Sequence, residues 1–168
     1  MIYVYAIGEH DGRLTAFVKP VDGAPEPEPE TLLNHDRVVF SLMERGPVLP
    51  MRFGTVLEDE KEVRSLLLGR RKELRDMLAR VRGRVEFGVR GEHPKATSGR
   101  AYMHARLDRK RSLAPLAELA ADSRARHKDT AYLVDRDLAD AFKERARNMK
   151  LALSGPWPPY SFTGALDD

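Results

Sequence analysis

Residue types that commonly carry catalysis or bind metals are sparse in this sequence. Its 168 residues include five histidines and no cysteine, which excludes disulfides, thiolate metal sites and cysteine nucleophiles. No histidine stands four residues from another, the helical spacing that would direct two imidazoles at one metal ion. The chain also lacks nucleophile-elbow, Walker and glycine-rich dinucleotide motifs. We therefore expect no enzymatic activity, no cofactor and no metal site.

A histidine beside a carboxylate, His35-Asp36, falls within a predicted helix. Such a pair can orient an imidazole for proton transfer. It more often forms a hydrogen bond on the surface of a helix, and we favour that interpretation.

An alternating strand, residues 84–90, is the main sign of a different function. Val85, Phe87 and Val89 alternate with charged residues, as in a half-buried strand. The ring beside Gly88 faintly resembles the base-stacking strand of RNA-recognition motifs, but it is one ring where those motifs use several. The 29 Lys and Arg nearly balance 26 Asp and Glu, for a net charge of +3. We favour an ordinary amphipathic strand and keep a nucleic-acid-binding ferredoxin-like module as the alternative function.

Two proline-containing segments are candidate binding surfaces. Residues 46–56 place two prolines and two glycines around a short apolar run whose one charge is Arg52. Residues 153–162 hold the only tryptophan and three prolines, and Trp-Pro-Pro suits neither a helix nor a central strand. Each segment could fasten the fold or dock a partner. The candidate residues for these roles are Pro50, Arg52, Phe53, Trp157, Pro158, Pro159, Tyr160 and Phe162.

The first half of the chain predicts a small α/β arrangement that must position the first segment. Apolar runs at residues 2–7 and 14–19 indicate strands, joined into a hairpin by the turn signal Asp11-Gly12. Residues 20–30 alternate proline and glutamate, which favours a flexible, extended loop. The remaining predicted elements are a helix from a Thr31 cap to Arg45 with a left-handed Gly46 after it, a proline-interrupted edge strand at 48–53, and one helix from an Asp59 cap to Val81.

The second half alternates strands with helices, which is typical of an open α+β sheet. A polar stretch at residues 91–99 marks the boundary between the halves. A ferredoxin-like layout with one strand not found is the leading prediction. After the strand at 84–90, the predicted elements are a helix at 101–126 with a break near Pro115, a strand at 130–134, a helix at 136–149 and a strand at 150–153.

We therefore predict an α+β protein in which a small N-terminal α/β domain (residues 1–91) packs on a ferredoxin-like C-terminal domain (residues 92–162). The second domain can also include strand 84–90, and residues 163–168 are expected to form a frayed tail. The chain shows no signal-peptide pattern at its start and no apolar run of about 18–20 residues. We expect a cytoplasmic protein without a membrane partner.

Several short strings resemble the gas vesicle protein GvpL/GvpF family, in that family's order and across nearly the whole chain. The most specific are Val48-Leu49-Pro50-Met51-Arg52-Phe53-Gly54-Thr55 and Gly155-Pro156-Trp157-Pro158-Pro159-Tyr160-Ser161-Phe162. The others are Tyr3-Val4-Tyr5-Ala6-Ile7, His35-Asp36, Gly99-Arg100-Ala101-Tyr102-Met103 and Ala131-Tyr132-Leu133-Val134.

This resemblance implies a two-domain accessory factor of gas vesicle assembly that is cytoplasmic, associated with gas vesicles and not enzymatic. It implies the hydrophobic, GvpA-type shell protein as a partner, together with other gas vesicle accessory proteins, and makes nucleic acid an unfavoured partner. No catalytic residues come with it. An apolar shell subunit needs a helper with an exposed strand edge or apolar groove, and we expect that surface near residues 48–53 or along residues 157–162.

Overall fold

The computed structural model describes residues 1–90, 98–126 and 129–163. The fold has mixed helices and sheets, which confirms the predicted α+β class. It divides into two compact units, one formed by Met1–Gly83 together with the segment that starts at Pro158, and the other by Arg84–Trp157.

The first unit contains an antiparallel sheet with its first strand at the centre. Strand β1 (Ile2–His10) pairs with β2 (Arg13–Pro20) on one side and with β3 (Val48–Pro50) and β4 (Val56–Leu57) on the other. Asp11 and Gly12 have φ values of 49° and 73° between β1 and β2. Two successive positive φ values define the type I′ hairpin turn, so the predicted hairpin is confirmed.

Helix α1 (Pro29–Arg45) lies against this sheet and buries Val39 with Ala6 and Val48. It begins before the predicted Thr31 cap because Pro29, which needs no hydrogen-bond acceptor for its nitrogen, suits the first helical position. The Thr31 hydroxyl instead accepts a hydrogen bond from the backbone N–H of Glu28 at 3.1 Å. Gly46 has φ 166°, which is extended backbone, so the predicted left-handed conformation is wrong.

The predicted helix from Asp59 to Val81 is in fact two helices, α2 (Glu60–Gly69) and α3 (Arg71–Val81). The Asp59 carboxylate caps α2 as predicted, since it accepts from the backbone N–H groups of Lys61 and Glu62 at 2.8 and 2.9 Å. The break comes at Arg70, where φ is −112° and ψ is 20°. It follows Gly69, a residue with a high entropic cost in a helix interior.

The second unit contains a four-stranded antiparallel sheet in the order β6-β7-β5-β8. Its elements follow the chain as strand, helices, two strands, helix and strand. A 3₁₀ turn at Arg136–Leu138 leads into the last helix. The elements are β5 (Arg84–Arg90), α4 (Gly99–Ser112), α5 (Ala114–Ala117), β6 (Asp122–Ala125), β7 (Asp129–Asp135), α6 (Ala139–Asn148) and β8 (Ala152–Trp157).

Strand β6 is the strand that sequence patterns did not find. The predicted helix at residues 101–126 ends instead at Ser112, and Pro115 lies in the first turn of the short α5, which begins at Ala114. Residues 122–125 then pair with β7. The short polar sequence Asp-Ser-Arg-Ala carries no apolar alternation, so only its partner strand selects the extended conformation.

The prediction that β5 is half-buried is wrong, because both of its faces are covered. Val85, Phe87 and Val89 are buried on one face, and Glu86 on the other is only 3% exposed. The Glu86 carboxylate accepts a charge-assisted hydrogen bond from Arg126 at 3.2 Å, which offsets its desolvation.

The ends of the predicted domains differ from the two units. Strand β5 pairs with β7 and β8 and so belongs to the second unit, the alternative that the prediction allowed for residues 84–90. Residues 158–162, predicted to belong to the second domain, lie in the first unit. Strand β8 also continues to Trp157 rather than ending at residue 153. Thr163, placed in the predicted tail, is buried. Residues 91–97 of the predicted boundary and residues 164–168 lie outside the described residues.

Among the described residues, the helices are all too short or too polar for a membrane span.

We expect Phe142→Ala to lower the free energy of unfolding by about 3–5 kcal/mol. The Phe142 ring is fully buried and lies with its centroid 5.2 Å from that of Phe87 and 5.4 Å from that of Tyr132. Leu138→Ala is the matched control, since Leu138 is 39% exposed and its truncation should cost about 1 kcal/mol or less. Urea unfolding followed by the fluorescence of Trp157 measures both values, and equal costs would contradict this description of the core.

Candidate functional site

A buried imidazole, that of His35 on α1, stands at the centre of a ring cluster in the first unit. His35 is 3% exposed. Its ring centroid lies 5.7 Å from Tyr3, 5.6 Å from Tyr5, 5.8 Å from Phe53 and 6.4 Å from Tyr160. We call these five residues the His35 cluster. Its members come from β1, α1, the turn after β3 and the C-terminal segment, so it joins four separate stretches of sequence.

Both nitrogens of His35 have hydrogen-bond partners. Nε2 lies 3.1 Å from the carbonyl oxygen of Met51, and Nδ1 lies 2.7 Å from the hydroxyl of Tyr3. A carbonyl can only accept, so Nε2 carries the proton, and Nδ1 accepts from the Tyr3 hydroxyl. The Tyr3 oxygen in turn accepts from the backbone N–H of Gly54 at 3.4 Å. This arrangement is satisfied by a neutral imidazole.

Burial sets the protonation of this cluster. Burial lowers the pKa of His35 below its usual value, against the opposing effects of the Met51 carbonyl and the Asp36 carboxylate. Burial likewise raises the pKa of Tyr3. Both groups are therefore neutral near pH 7.

The turn after β3 brings Phe53 to the cluster. The Arg52 carbonyl accepts from the Thr55 backbone N–H at 3.2 Å and from the Thr55 hydroxyl at 2.8 Å. Gly54, the third residue of this turn, has φ +87°, the conformation that a type II turn requires there. The Val-Leu-Pro-Met-Arg-Phe-Gly-Thr string thus supplies a strand, an acceptor for His35 and a turn.

The C-terminal segment is fastened to the same unit. Tyr160 donates its hydroxyl proton to Asp36 Oδ1 at 3.1 Å, and Thr163 donates to the carbonyl oxygen of Pro50 at 3.4 Å. Phe162 is 1% exposed. Burial and, after it, the Asp36 carboxylate raise the pKa of Tyr160, so the hydroxyl keeps its proton. The predicted hydrogen bond of His35-Asp36 on the helix surface is therefore wrong. His35 contacts Tyr3 and Met51, and Asp36 binds Tyr160.

The structure separates the eight predicted site residues into three groups by exposure. Trp157 and Arg52 are exposed, Trp157 at 41%, and Trp157 lies in the second unit at the end of β8. Phe53 and Tyr160 are partly buried within the His35 cluster. The remaining four, all in the first unit, are buried: Pro50, Pro158, Pro159 and Phe162.

Sequence reasoning missed the central role of His35, Tyr3, Tyr5 and Met51. The available signal was a histidine and two tyrosines in strings that it had already singled out, but nothing in the spacing showed that they meet. Among the described residues, no three His, Asp or Glu side chains form a group that could hold a metal ion. The cluster is arranged to hold segments together, and its imidazole has no open side for a substrate.

The stability of the protein should fall as the pH drops below about 6.5, the usual pKa of histidine. The unfolded chain binds a proton at His35 more readily than the folded protein does, so the stabilisation is complete above that pH and is lost below it. One proton limits the slope to about 1.4 kcal/mol per pH unit.

The matched variant is His35→Gln, whose amide can donate to Met51 but does not titrate. Urea unfolding at several pH values between neutrality and mild acid compares the two proteins. The exposed His10 and His104 are present in both, so their contributions cancel. A slope of the same size in the variant would show that His35 is not responsible.

Comparison with known proteins finds the same family that the short sequence strings resemble. A family model described as gas vesicle synthesis protein GvpL/GvpF matches residues 2–129 and 104–164. Gas vesicle protein L of Streptomyces sp. (strain CB03234) is 28% identical over an alignment that covers 80% of this chain and 69% of that protein. Gas vesicle protein F2 of Halobacterium salinarum is also 28% identical, with 89% and 76% covered.

Solved structures show the same fold. The crystal structure of gas vesicle protein GvpF from Anabaena sp. PCC7120 has a TM-score of 0.76 at 18% identity, covering 96% of this chain and 95% of that one. GvpF from Microcystis aeruginosa has a TM-score of 0.73 at 16% identity, covering 96% and 98%. Because the family model spans nearly the whole sequence, the predicted resemblance is confirmed, and this chain belongs to the GvpL/GvpF family of gas vesicle proteins.

Proposed function

We propose that this gas vesicle accessory protein is a non-catalytic assembly factor that binds the hydrophobic, GvpA-type shell protein during nucleation of the vesicle. Family membership supports a role in gas vesicle synthesis. An apolar shell subunit in water must be held before it assembles, or it aggregates. The helper therefore has to offer apolar contact without a deep cavity that would trap the subunit.

The observation that carries the proposal is the position of Trp157. It is 41% exposed at the end of β8, while the prolines and Phe162 that follow it in the sequence are buried. Strand β8 ends the order β6-β7-β5-β8, so in the described part of the sheet its outer edge has no strand beside it. An exposed indole beside a strand edge suits an apolar, extended partner segment.

The same strand carries features that limit uncontrolled pairing. Pro156 lacks a backbone N–H, and the pairing of β8 with β5 shifts register between Glu86 and Gly88. Prolines and irregular pairing are the usual protection of an exposed edge. Such an edge favours reversible binding of a partner over open-ended strand addition.

The candidate edge at residues 48–53 is less suitable. Val48, Leu49 and Pro50 are buried, and the Pro50 carbonyl already accepts from Thr163. Its candidate residues support the fold-fastening role, except the exposed Arg52.

A nucleic-acid-binding function finds no support in the geometry. Phe87, the ring that base stacking would need, is fully buried with its centroid 5.2 Å from that of Phe142. Glu86 beside it is paired with Arg126. A covered strand cannot offer a stacking face to bases.

The antiparallel order β6-β7-β5-β8, with its β-α-β-β-α-β sequence of elements, supports a ferredoxin-like domain at residues 84–157. We propose that the protein acts in the cytoplasm in association with gas vesicles and with other gas vesicle accessory proteins. The non-catalytic assignment is supported by His35 and Asp36, whose side chains serve the core.

Trp157→Ala should weaken binding of the shell protein about tenfold or more, because a central tryptophan commonly contributes over 1.4 kcal/mol to an interface. The variant should also lose some stability, since more than half of the Trp157 side chain is covered, so binding is compared well below its melting temperature. The measurement is pull-down of the shell protein by tagged wild type and variant at matched concentrations.

Two variants act as controls. Leu138→Ala truncates another apolar side chain of the same unit with similar exposure, 39%, and should leave shell-protein binding unchanged. Tyr160→Phe removes the hydrogen bond to Asp36 and should cost about 0.5–1.5 kcal/mol of stability without loss of binding. Equal capture by wild type and Trp157→Ala would reject Trp157 as the contact.

A further inference from the structure

Helix α4 lies on the second unit through a narrow side and exposes the opposite one. None of its residues is buried. Its partly buried positions, Ala101, Ala105 and Arg109, recur every four residues and so share one side. Met103 and Leu107 follow Ala101 and Ala105 by two residues, about half a helical turn, and so project from the opposite side. They are 56% and 49% exposed. This apolar pair is presented outward.

Cations border the exposed apolar pair. Arg100 and Arg106 lie on either side of Met103 and Leu107 around the helix, and both are exposed. Over its length α4 has five Lys and Arg against one Asp, a net charge of +4 with histidine neutral. Tyr102 adds a ring that is 54% exposed. The face therefore suits a ligand that is acidic and has rigid apolar groups.

The chain itself contains a segment of this chemistry that runs from the end of β2 into the first turn of α1, which begins at Pro29. Residues 21–30 have four acidic side chains and no Lys or Arg, a net charge of −4. The backbone at Glu28 has φ −85° and ψ 154°, close to polyproline II. The acidic residues Asp22, Glu26, Glu28 and Glu30 are all exposed, and Pro25, Pro27 and Pro29 alternate with the glutamates.

We propose that α4 of one copy of this chain binds the acidic proline segment, residues 21–30, of a second copy. The proline rings pack on Tyr102, Met103 and Leu107, and the carboxylates face Arg100 and Arg106. The fixed φ angles of its prolines and the hydrogen bond from the Glu28 backbone N–H to the Glu26 carbonyl at 2.8 Å already order this segment, so it binds an aromatic surface at low cost in entropy. The equal and opposite charges of the two segments provide the complementarity.

This contact joins two different surfaces and is therefore heterologous. Such contacts add copies head to tail, into rings or rows, rather than closing a two-fold dimer. A row of accessory proteins would present repeated partner-binding edges. The proposal goes beyond shell-protein binding and uses neither Trp157 nor β8, so each can fail without the other. The apolar side of α4 is too narrow for the amphipathic helix that inserts into a membrane surface.

Sedimentation velocity over a range of protein concentration tests the contact. The average mass of wild type should rise with concentration at low salt and fall when salt is added, because salt screens exposed charges. Arg100→Glu with Arg106→Glu should weaken association about tenfold or more through like-charge repulsion. Asp22→Lys with Glu26→Lys, neither within a helix, should do the same.

An equimolar mixture of the two double variants should associate again, since each then carries the complement of the other. Lys61→Glu with Arg64→Glu makes the same change of charge on the exposed side of α2 and should associate like wild type. Circular dichroism checks that each variant keeps its helices. The proposal is wrong if wild type stays monomeric throughout, if the mixture fails to associate, or if wild type instead floats with phosphatidylserine vesicles through Arg100 and Arg106.

Discussion

The hydrogen bonds of the buried His35 imidazole are the interaction on which the first unit depends. They connect α1 to the Tyr3 hydroxyl of β1 and to the Met51 carbonyl after β3. A buried polar ring stabilises a core only when both of its nitrogens have partners, because an unsatisfied one costs more than a formed bond contributes. His35 therefore has to stay neutral, with one ring nitrogen donating and the other accepting. This requirement fixes where the Met51 carbonyl and the Tyr3 hydroxyl must lie.

Asp36, the next residue, connects α1 to the C-terminal segment in the same way. Its carboxylate accepts from Tyr160, which the sequence separates from it by 124 positions. The rings of Tyr160 and Phe162 therefore stabilise the fold of the first unit. The strings that carry the family resemblance supply all five residues of the His35 cluster, so their first role in this chain is structural. The contact proposed for the shell protein uses a residue that these hydrogen bonds and ring contacts leave exposed, Trp157.

The second unit likewise has residues that form its core and apolar residues that stay exposed. Strand β5 is covered on both faces, with Phe87 stacked on Phe142 and Glu86 paired with Arg126. Trp157 and the outer side of α4 remain exposed, one beside a strand edge and the other bordered by cations. An apolar contact and an electrostatic one can serve different partners without competing.

Local patterns in the sequence determined the α+β class, the Asp11-Gly12 hairpin, the Asp59 cap and the family. Each of these depends on neighbouring residues or on strings that stand intact in the chain. Patterns failed where a distant partner decides: β6 has no apolar alternation, and Glu86 was expected on a solvent face. The tertiary structure alone decided that His35 is buried, that Tyr160 reaches Asp36 and that Trp157 stays exposed. Burial is a property of contacts between residues far apart in sequence, and no local spacing specifies it.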